Sequence, residues 1–305
     1  MSKIIIGYDG SAQAEDAIAL GRVLAEGTGA RPIVVAAATW PVYLLGPHDL
    51  DRAVHAQLDS VLEVAADRLR GLEPQTEAVH SRSVAAELMA AADREDAAAI
   101  VIGSSHHGVA GRIALGSVGT SLIHGAPCAI TVAPSGLAEQ EPQLLKVGVA
   151  FDGSEEASSA LETGIGIAQR TKARLTVVSI ADYGSAYAFS AAWTVYTAAQ
   201  IKDLEKDEKE KVLEQALKRV PRELPVDGRV LSGSPARVLS DVSSEFDLHI
   251  MGSRGYGPVG RTFLGGVATH VIHTSRCPVM VLPRGAGSDP FDFNASDHVV
   301  EEPAL

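Results

Sequence analysis

Two stretches of this chain are copies of each other, and that constrains its fold more than any single motif. "KIIIGYDGSAQAEDAIALGRVLA" (3–25) is answered by "KVGVAFDGSEEASSALETGIGIA" (146–168), and "ARPIVVAAA" (30–38) by "ARLTVVSIA" (173–181), each 143 residues further on. "VIGSSHHGVAGRIALGSVGTSLIHGAPCAITVAP" (101–134) is answered by "IMGSRGYGPVGRTFLGGVATHVIHTSRCPVMVLP" (250–283), 149 residues on. The change of offset puts an insertion in the middle of the unit, where extra loop length costs little. The 305 residues are therefore expected to form two like domains, 1–134 and 144–284, joined by "SGLAEQEPQ" (135–143). The remainder, 285–305, is rich in Gly, Asp and Pro without a sustained period and reads as a flexible acidic tail.

Within each unit, strand-like and helix-like segments alternate. In the first, "KIIIGY", "RPIVVAAAT", "TEAVHS", "AAAIVIGS" and "CAITVAP" read as strands. Between them "SAQAEDAIALGRVLAEGTG", "LDRAVHAQLDSVLEVAADRLRGL", "VAAELMAAADRED" and "SVGTSLIHGA" have helical spacing, the first capped by Ser11 and ended by glycine. Near-continuous apolar strands alternating with helices predict a parallel sheet covered on both faces. Right-handed crossovers make each unit a doubly wound, five-stranded α/β sheet. With strand order 3-2-1-4-5, the loops after strands one and four meet at the point where the order reverses, which is where such sheets bind ligands. Those loops carry Asp9-Gly10-Ser11 and Gly103–Ser117 in the first unit, Asp152-Gly153-Ser154 and Gly252–Gly266 in the second.

The long loops have the chemistry of a phosphate cradle. Backbone binding of phosphate needs glycines for close approach, free N–H groups at a helix start, and no fixed negative charge nearby. Gly103, Gly108, Gly111 and Gly116 meet the first need, and Ser117 at a helix start meets the second. No acid lies between Gly103 and Ser117, and Arg112 adds positive charge. The second loop offers six glycines with Arg254 and Arg261. A bare flexible connection is the alternative, but the same glycine-rich loop occurs twice at the same topological place.

Other chemistries fit less well. "GYGPVG" (255–260) matches a dinucleotide fingerprint in letters only, since it follows a late strand and contains Pro258. No G-x-x-x-x-G-K-[ST] occurs, and no G-x-S-x-G elbow presents a nucleophile. His106 and His107 are adjacent and lack a Cys or carboxylate cluster to complete a metal site. His124 and His273, at matched places in the last helices, are expected in core or dimer packing. Tyr183, Tyr187, Phe189, Trp193 and Tyr196 are expected to cover the crevice or sheet edge. "DLEKDEKEKVLEQALKR" is expected to be one amphipathic helix burying Leu204, Val212, Ala216 and Val220.

The formal net charge of −12 removes the long-range attraction that nucleic acid or anionic lipid partners use. No apolar run is long enough to span a membrane, and "MSKIIIGYDG" does not read as a secretory leader. Cys128 and Cys277 read as packed thiols, which places the expectation in a reducing cytoplasm.

The loops, the "GYDGS" and "AFDGS" turns and the closing "PCAITVAP" and "CPVMVLP" together resemble the universal stress protein family. Its nucleotide-binding signature is G-x2-G-x9-G-[ST]. The resemblance covers nearly the whole chain twice and implies a tandem, Rossmann-like member that binds ATP in stress adaptation or signalling. It implies that Asp9 and Asp152 lie beside the nucleotide and that Ala37 and Ile180 present backbone to adenine. It implies phosphate contacts from Gly103, Gly116 and Ser117, and from Gly252, Gly255, Gly265 and Gly266. Mg2+ would be carried on the phosphates, with Asp9 or Asp152 in an outer role. Each half departs once from the signature: His106 stands at the second glycine position, and Gly266 at the final Ser/Thr position. His106 could add a donor to phosphate, while Gly266 lacks one hydroxyl, a loss of about 1 kcal/mol. Few cations line the loops, so holding a nucleotide is expected rather than turning it over. A scaffold with degenerate pockets and a slow ATPase remain the alternatives. The halves are expected to pair their last strands as a pseudo-dimer. A homodimer of whole chains is compatible with that, and a further protein partner is expected that the residues do not identify.

Overall fold

The structure is a computed structural model and describes residues 2–39, 49–105, 111–183, 198–253, 265–283, 290, 291 and 293. The first half runs β1 (Lys3–Gly7), α1 (Ala12–Thr28), β2 (Arg31–Thr39), α2 (Asp49–Arg68), β3 (Gln75–Ser81), α3 (Val84–Glu95), β4 (Ala99–Gly103), α4 (Ser117–Gly125) and β5 (Ala129–Ala133). The second runs β6 (Lys146–Ala150), α5 (Glu155–Thr171), β7 (Arg174–Ala181), α6 (Ala198–Lys218), β8 (Val226–Ser232), α7 (Pro235–Val242), β9 (Leu248–Gly252), α8 (Gly266–Thr274) and β10 (Val279–Leu282).

The helix starts follow from short polar side chains. Ser11, Ser83 and Ser154 each accept the backbone N–H three residues on, which satisfies one orphan donor of α1, α3 and α5. Gly29 closes α1 in the left-handed region at φ 73°. The strands bury both faces because alternate residues feed two cores. Ile4 and Ile6 face the layer of α1 and α5, and Ile5 the layer of α3, α4, α7 and α8. Full burial of each such side chain contributes roughly 1.5–3 kcal/mol.

All ten strands form one sheet in the order β3-β2-β1-β4-β5-β10-β9-β6-β7-β8. Each half has the order 3-2-1-4-5 and is parallel throughout. The halves join where β5 and β10 pair antiparallel, Val132 opposite Val279 and Ile130 opposite Val281. The last strands therefore do close a pseudo-dimer. Both cores run across this seam and contain residues of both halves.

The chain between the halves is anchored. Asp16, only 3% exposed, accepts from Gly136 N at 2.9 Å and Ala138 N at 2.8 Å, and Leu137 and Leu144 are buried. Burial pushes the Asp16 carboxyl above its usual range against the pull of these N–H donors.

Three sequence expectations are corrected. The tail does not hang free throughout: Phe291 is 2% exposed within the α1–α5 core, and Phe293 packs beside it. Two aromatic rings supply apolar area that the tail's overall composition conceals. His124 and His273 are exposed on the chain's surface and do not pack into its core, which leaves dimer packing as the alternative. Leu122, Ile123, Val271 and Ile272 face inward, so the next residue of each helix turns outward. Leu204 is 54% exposed. It lies half a revolution from Leu213, which joins Ala216 and Val220 in the core while Val212 packs against it. Of the five aromatics expected over the crevice, only Tyr183 lies within the described residues; its hydroxyl is 2.9 Å from Ser232 Oγ.

Cys128 and Cys277 are buried and unpaired, with burial holding both thiols up at about 12. His249 on β9 is fully buried and neither ring nitrogen has a hydrogen-bond partner. Burial alone brings its pKa down to about 4. No helix among the described residues is long and apolar enough to cross a membrane.

Candidate functional site

The site is built from strand ends at the switch point, twice. After β1, Asp9 Oδ1 accepts from Ser11 N at 3.0 Å, and Ser11 Oγ then caps Ala14 N at 3.2 Å. After β6, Asp152 Oδ1 accepts from Ser154 N at 2.9 Å, and Ser154 Oγ caps Ala157 N at 3.2 Å. The intervening Gly10 and Gly153 take φ +79° and +91°, the left-handed region that favours glycine. Each aspartate is thus fixed at the carboxyl end of the first strand, one oxygen held by its own turn.

The second strands run on past that point. β1 ends opposite β2 at Gly7–Val35, and the Tyr8 N–H donates to Val35 O at 3.0 Å. Backbone polar groups alternate sides along a strand. The N–H and C=O of Ala37, two residues on, therefore face the crevice beyond the end of β1. In the second half Phe151 N donates to Val178 O at 2.8 Å, and Ile180 takes the equivalent place. Both residues are half-buried, and their other neighbours in the sheet are Val79 and Leu231.

The fourth strands end against the first turn of the helix after strand one. A Cβ at Gly103 would lie 1.8 Å from Gln13 O, and one at Gly252 would lie 2.7 Å from the Glu156 carbonyl carbon. The first glycine of each loop is therefore required by packing. That contact brings the aspartate turn and the long loop together.

The described part of the first loop is locked. Ser104 Oγ accepts from Ala114 N at 2.7 Å and donates to Ala114 O at 3.2 Å, and Ser105 N donates to Ala114 O at 2.6 Å. Gly111 N donates to Ser135 O at 2.8 Å, and Ile113 is buried. Gly116 sits across from the loop's entry, where a Cβ would come 3.2 Å from Ser105 Cβ. Gly116 is also the N-cap of α4 and supplies no side-chain cap. Ser117, the first residue of α4, is exposed, and no acid lies in the first turn. A helix start carries the positive end of the dipole and N–H groups without intrahelical partners. Gly265 leaves α8 uncapped in the same way, and a Cβ at Gly266 would meet nothing within 4 Å among the described residues.

The halves differ at the base of the loop. Ser253, matched to Ser104, is 2% exposed and its Oγ has no hydrogen-bond partner. His106 and Gly255, the predicted cradle residues at the second glycine position, lie outside the described residues, as do His107, Gly108, Arg254 and Arg261. Among the described residues no cluster of three His, Cys, Asp or Glu side chains could hold a metal ion.

Sequence reasoning missed Ser104 and Ser105, whose partner Ala114 lies across the loop with no periodic signal. It also missed Tyr8, whose hydroxyl donates to Glu15 Oε1 at 2.5 Å, with Arg68 Nε 3.4 Å from the same carboxylate. Burial first, then that hydrogen bond, raise the Tyr8 pKa above its ordinary value, so the phenol stays protonated. The second half has Phe151 there.

The sequence profile described as "Universal stress protein family" matches residues 1–134 and again 144–283. The chain belongs to that family. A universal stress protein of Mycobacterium tuberculosis is 28% identical over 298 residues, covering 91% of this chain and 96% of that protein. A shorter universal stress protein of Thermus aquaticus is 34% identical over 141 residues, 44% of this chain and 95% of its own length. The crystal structure of a universal stress protein from Archaeoglobus fulgidus superposes with a TM-score of 0.65 at 21% identity, covering 93% of this chain and 98% of that one. That likeness extends the tandem architecture to a solved structure. The family thus accounts for the repeat seen in the sequence, one domain per copy.

Proposed function

We propose that each half of this universal stress protein holds an adenine nucleotide, ATP, and that the protein acts in stress adaptation or signalling by binding rather than by turnover. One observation carries the reading. In both halves a fixed aspartate, the backbone of the second strand beyond the end of the first, and a helix N-terminus without side-chain cap or first-turn acid lie at one switch point. The Ala37 and Ile180 backbone would pair with the adenine edge. The starts of α4 and α8, with the Ser117 hydroxyl in the first half, would donate to phosphate. A magnesium ion on the phosphates would sit nearest Asp9 or Asp152. Binding without turnover is supported by both aspartates being engaged in their own turns and by the scarcity of cations to clamp a transferring phosphoryl group.

Native mass spectrometry of protein purified without added nucleotide, then titrated with ATP, tests the reading. The expected result is one or two bound nucleotides per chain, with affinity at the first site falling about tenfold or more in Gly116→Val. An unshifted mass at saturating ATP would sink it. That outcome would favour a scaffold with degenerate pockets, a reading that Gly266, which lacks the hydroxyl donor of Ser117, already supports for the second half.

A further inference from the structure

The α1–α5 seam carries a feature independent of the nucleotide reading. The two helices lie in one layer, and Arg170 near the end of α5 donates from Nη1 to Thr28 O, at the end of α1, at 3.2 Å. The same guanidinium lies over the Phe293 ring, 5.0 Å from its centre. Phe293 stacks on Phe291, with centroids 5.6 Å apart and planes inclined by 26°. Phe291 is buried in the core that both halves share. The groove is shaped for the ring: a Cβ at Gly166, on the same face of α5 as Arg170, would lie 1.9 Å from Phe293 Cδ2. Glycine inside a helix is destabilising relative to alanine, and the space it leaves here is filled by an aromatic ring from the tail.

We propose that Phe291 and Phe293 form a C-terminal latch, an aromatic-x-aromatic segment docked in a groove of its own chain beside the contact between the halves. Phe291 anchors the segment in the shared core. Phe293 occupies the space left by Gly166 and shields the Arg170–Thr28 contact on one side. Arg170 is the hub, because one guanidinium meets a carbonyl of the first half and a ring of the tail. The groove accepts two rings two residues apart, one buried and one stacked beneath a cation.

The full-length chain tests this through chymotrypsin, which cleaves after Phe, with intact mass reporting products that end at Phe291 or Phe293. Wild type is expected to resist at these bonds. Gly166→Ala fills the ring's place and is expected to speed their cleavage about tenfold or more, since cleavage follows the population of the undocked tail. A urea series separates this from general unfolding. Gly166→Ala is expected to lower the midpoint in the wild-type background and to raise it in Phe293→Ala, where alanine only improves the helix. Equal cleavage in wild type and Gly166→Ala, or a midpoint change of the same sign in both backgrounds, would overturn the latch. Protection that grows with protein concentration would assign the groove to a neighbouring copy's tail and overturn the intramolecular assignment.

Discussion

Replacing His249 with isoleucine isolates the energetic effect of one buried histidine. His249 lies on β9 with both ring nitrogens unpartnered, 5.6 Å from the Phe246 ring centre at a tilt of 54°. The matched position on β4 is Ile100, also fully buried, so the fold accepts an aliphatic side chain there. The folded pKa, about 4, lies below the ordinary 6.5. Between those values the unfolded chain binds a proton that the folded chain refuses. The stability present above pH 6.5 is therefore lost as pH falls, roughly 2 kcal/mol by pH 5 and 3 kcal/mol by pH 4. His249→Ile removes this dependence. It should also gain about 1–3 kcal/mol at pH 7 by deleting two buried unsatisfied nitrogens, less about 0.5–1.5 kcal/mol for the lost aromatic contact. Urea unfolding of both proteins at pH 7 and pH 5 supplies the four free energies needed. Carboxylates titrate in both proteins and cancel in the difference. The wild type should lose about 2 kcal/mol more than the variant between the two pH values. Equal losses would mean that His249 is solvated or partnered, and the reasoning from its burial would fall.

Three further outcomes follow from the site and its frame. Gly266→Ser should tighten ATP binding at the second site up to about tenfold, since its Cβ meets nothing within 4 Å among the described residues and a hydroxyl donor to phosphate is worth about 1 kcal/mol or more; calorimetry in the Gly116→Val background, where the first site is weakened, would read the change. Gly103→Ala should destabilise the chain by about 1–3 kcal/mol in thermal or urea unfolding, because its Cβ would overlap Gln13 O; a neutral result would show that α1 is not seated on β4. Asp16→Asn keeps the shape but turns one acceptor into a donor facing Gly136 N or Ala138 N, and should cost about 1–3 kcal/mol in the same assay.

The strands were legible because a sheet buried on both faces writes continuous apolar runs. "RPIVVAAAT" is β2 from end to end. The helix starts were legible at Ser11 and Ser154 because the cap acts only three residues away. What stayed hidden was set by partners distant in sequence. Nothing near Gly103 in the sequence shows that Gln13 packs against it, and nothing near Asp16 shows that the chain 120 residues later folds onto it. Phe291 and Phe293 disappear into a polar, acidic composition although their spacing carries the docking. His249 sits in "DLHIMG" with no sign that its ring is enclosed. Each is a tertiary contact without a local signature.

The joining of β5 to β10 also decides how whole chains could associate. Strand edges exposed on each half alone are used up inside one molecule, so among the described residues the outer strands of the ten-stranded sheet are β3 and β8. Both carry charge that resists strand addition. On β3, Glu77 pairs with Arg94 of α3. On β8, Arg229 holds Asp227 at 2.9 Å and Glu245 at 2.6 Å. A new strand laid along either edge would have to pack beside these pairs and displace their water, a cost that protected edges in general exploit. Association of whole chains by extending the sheet is therefore disfavoured at both ends.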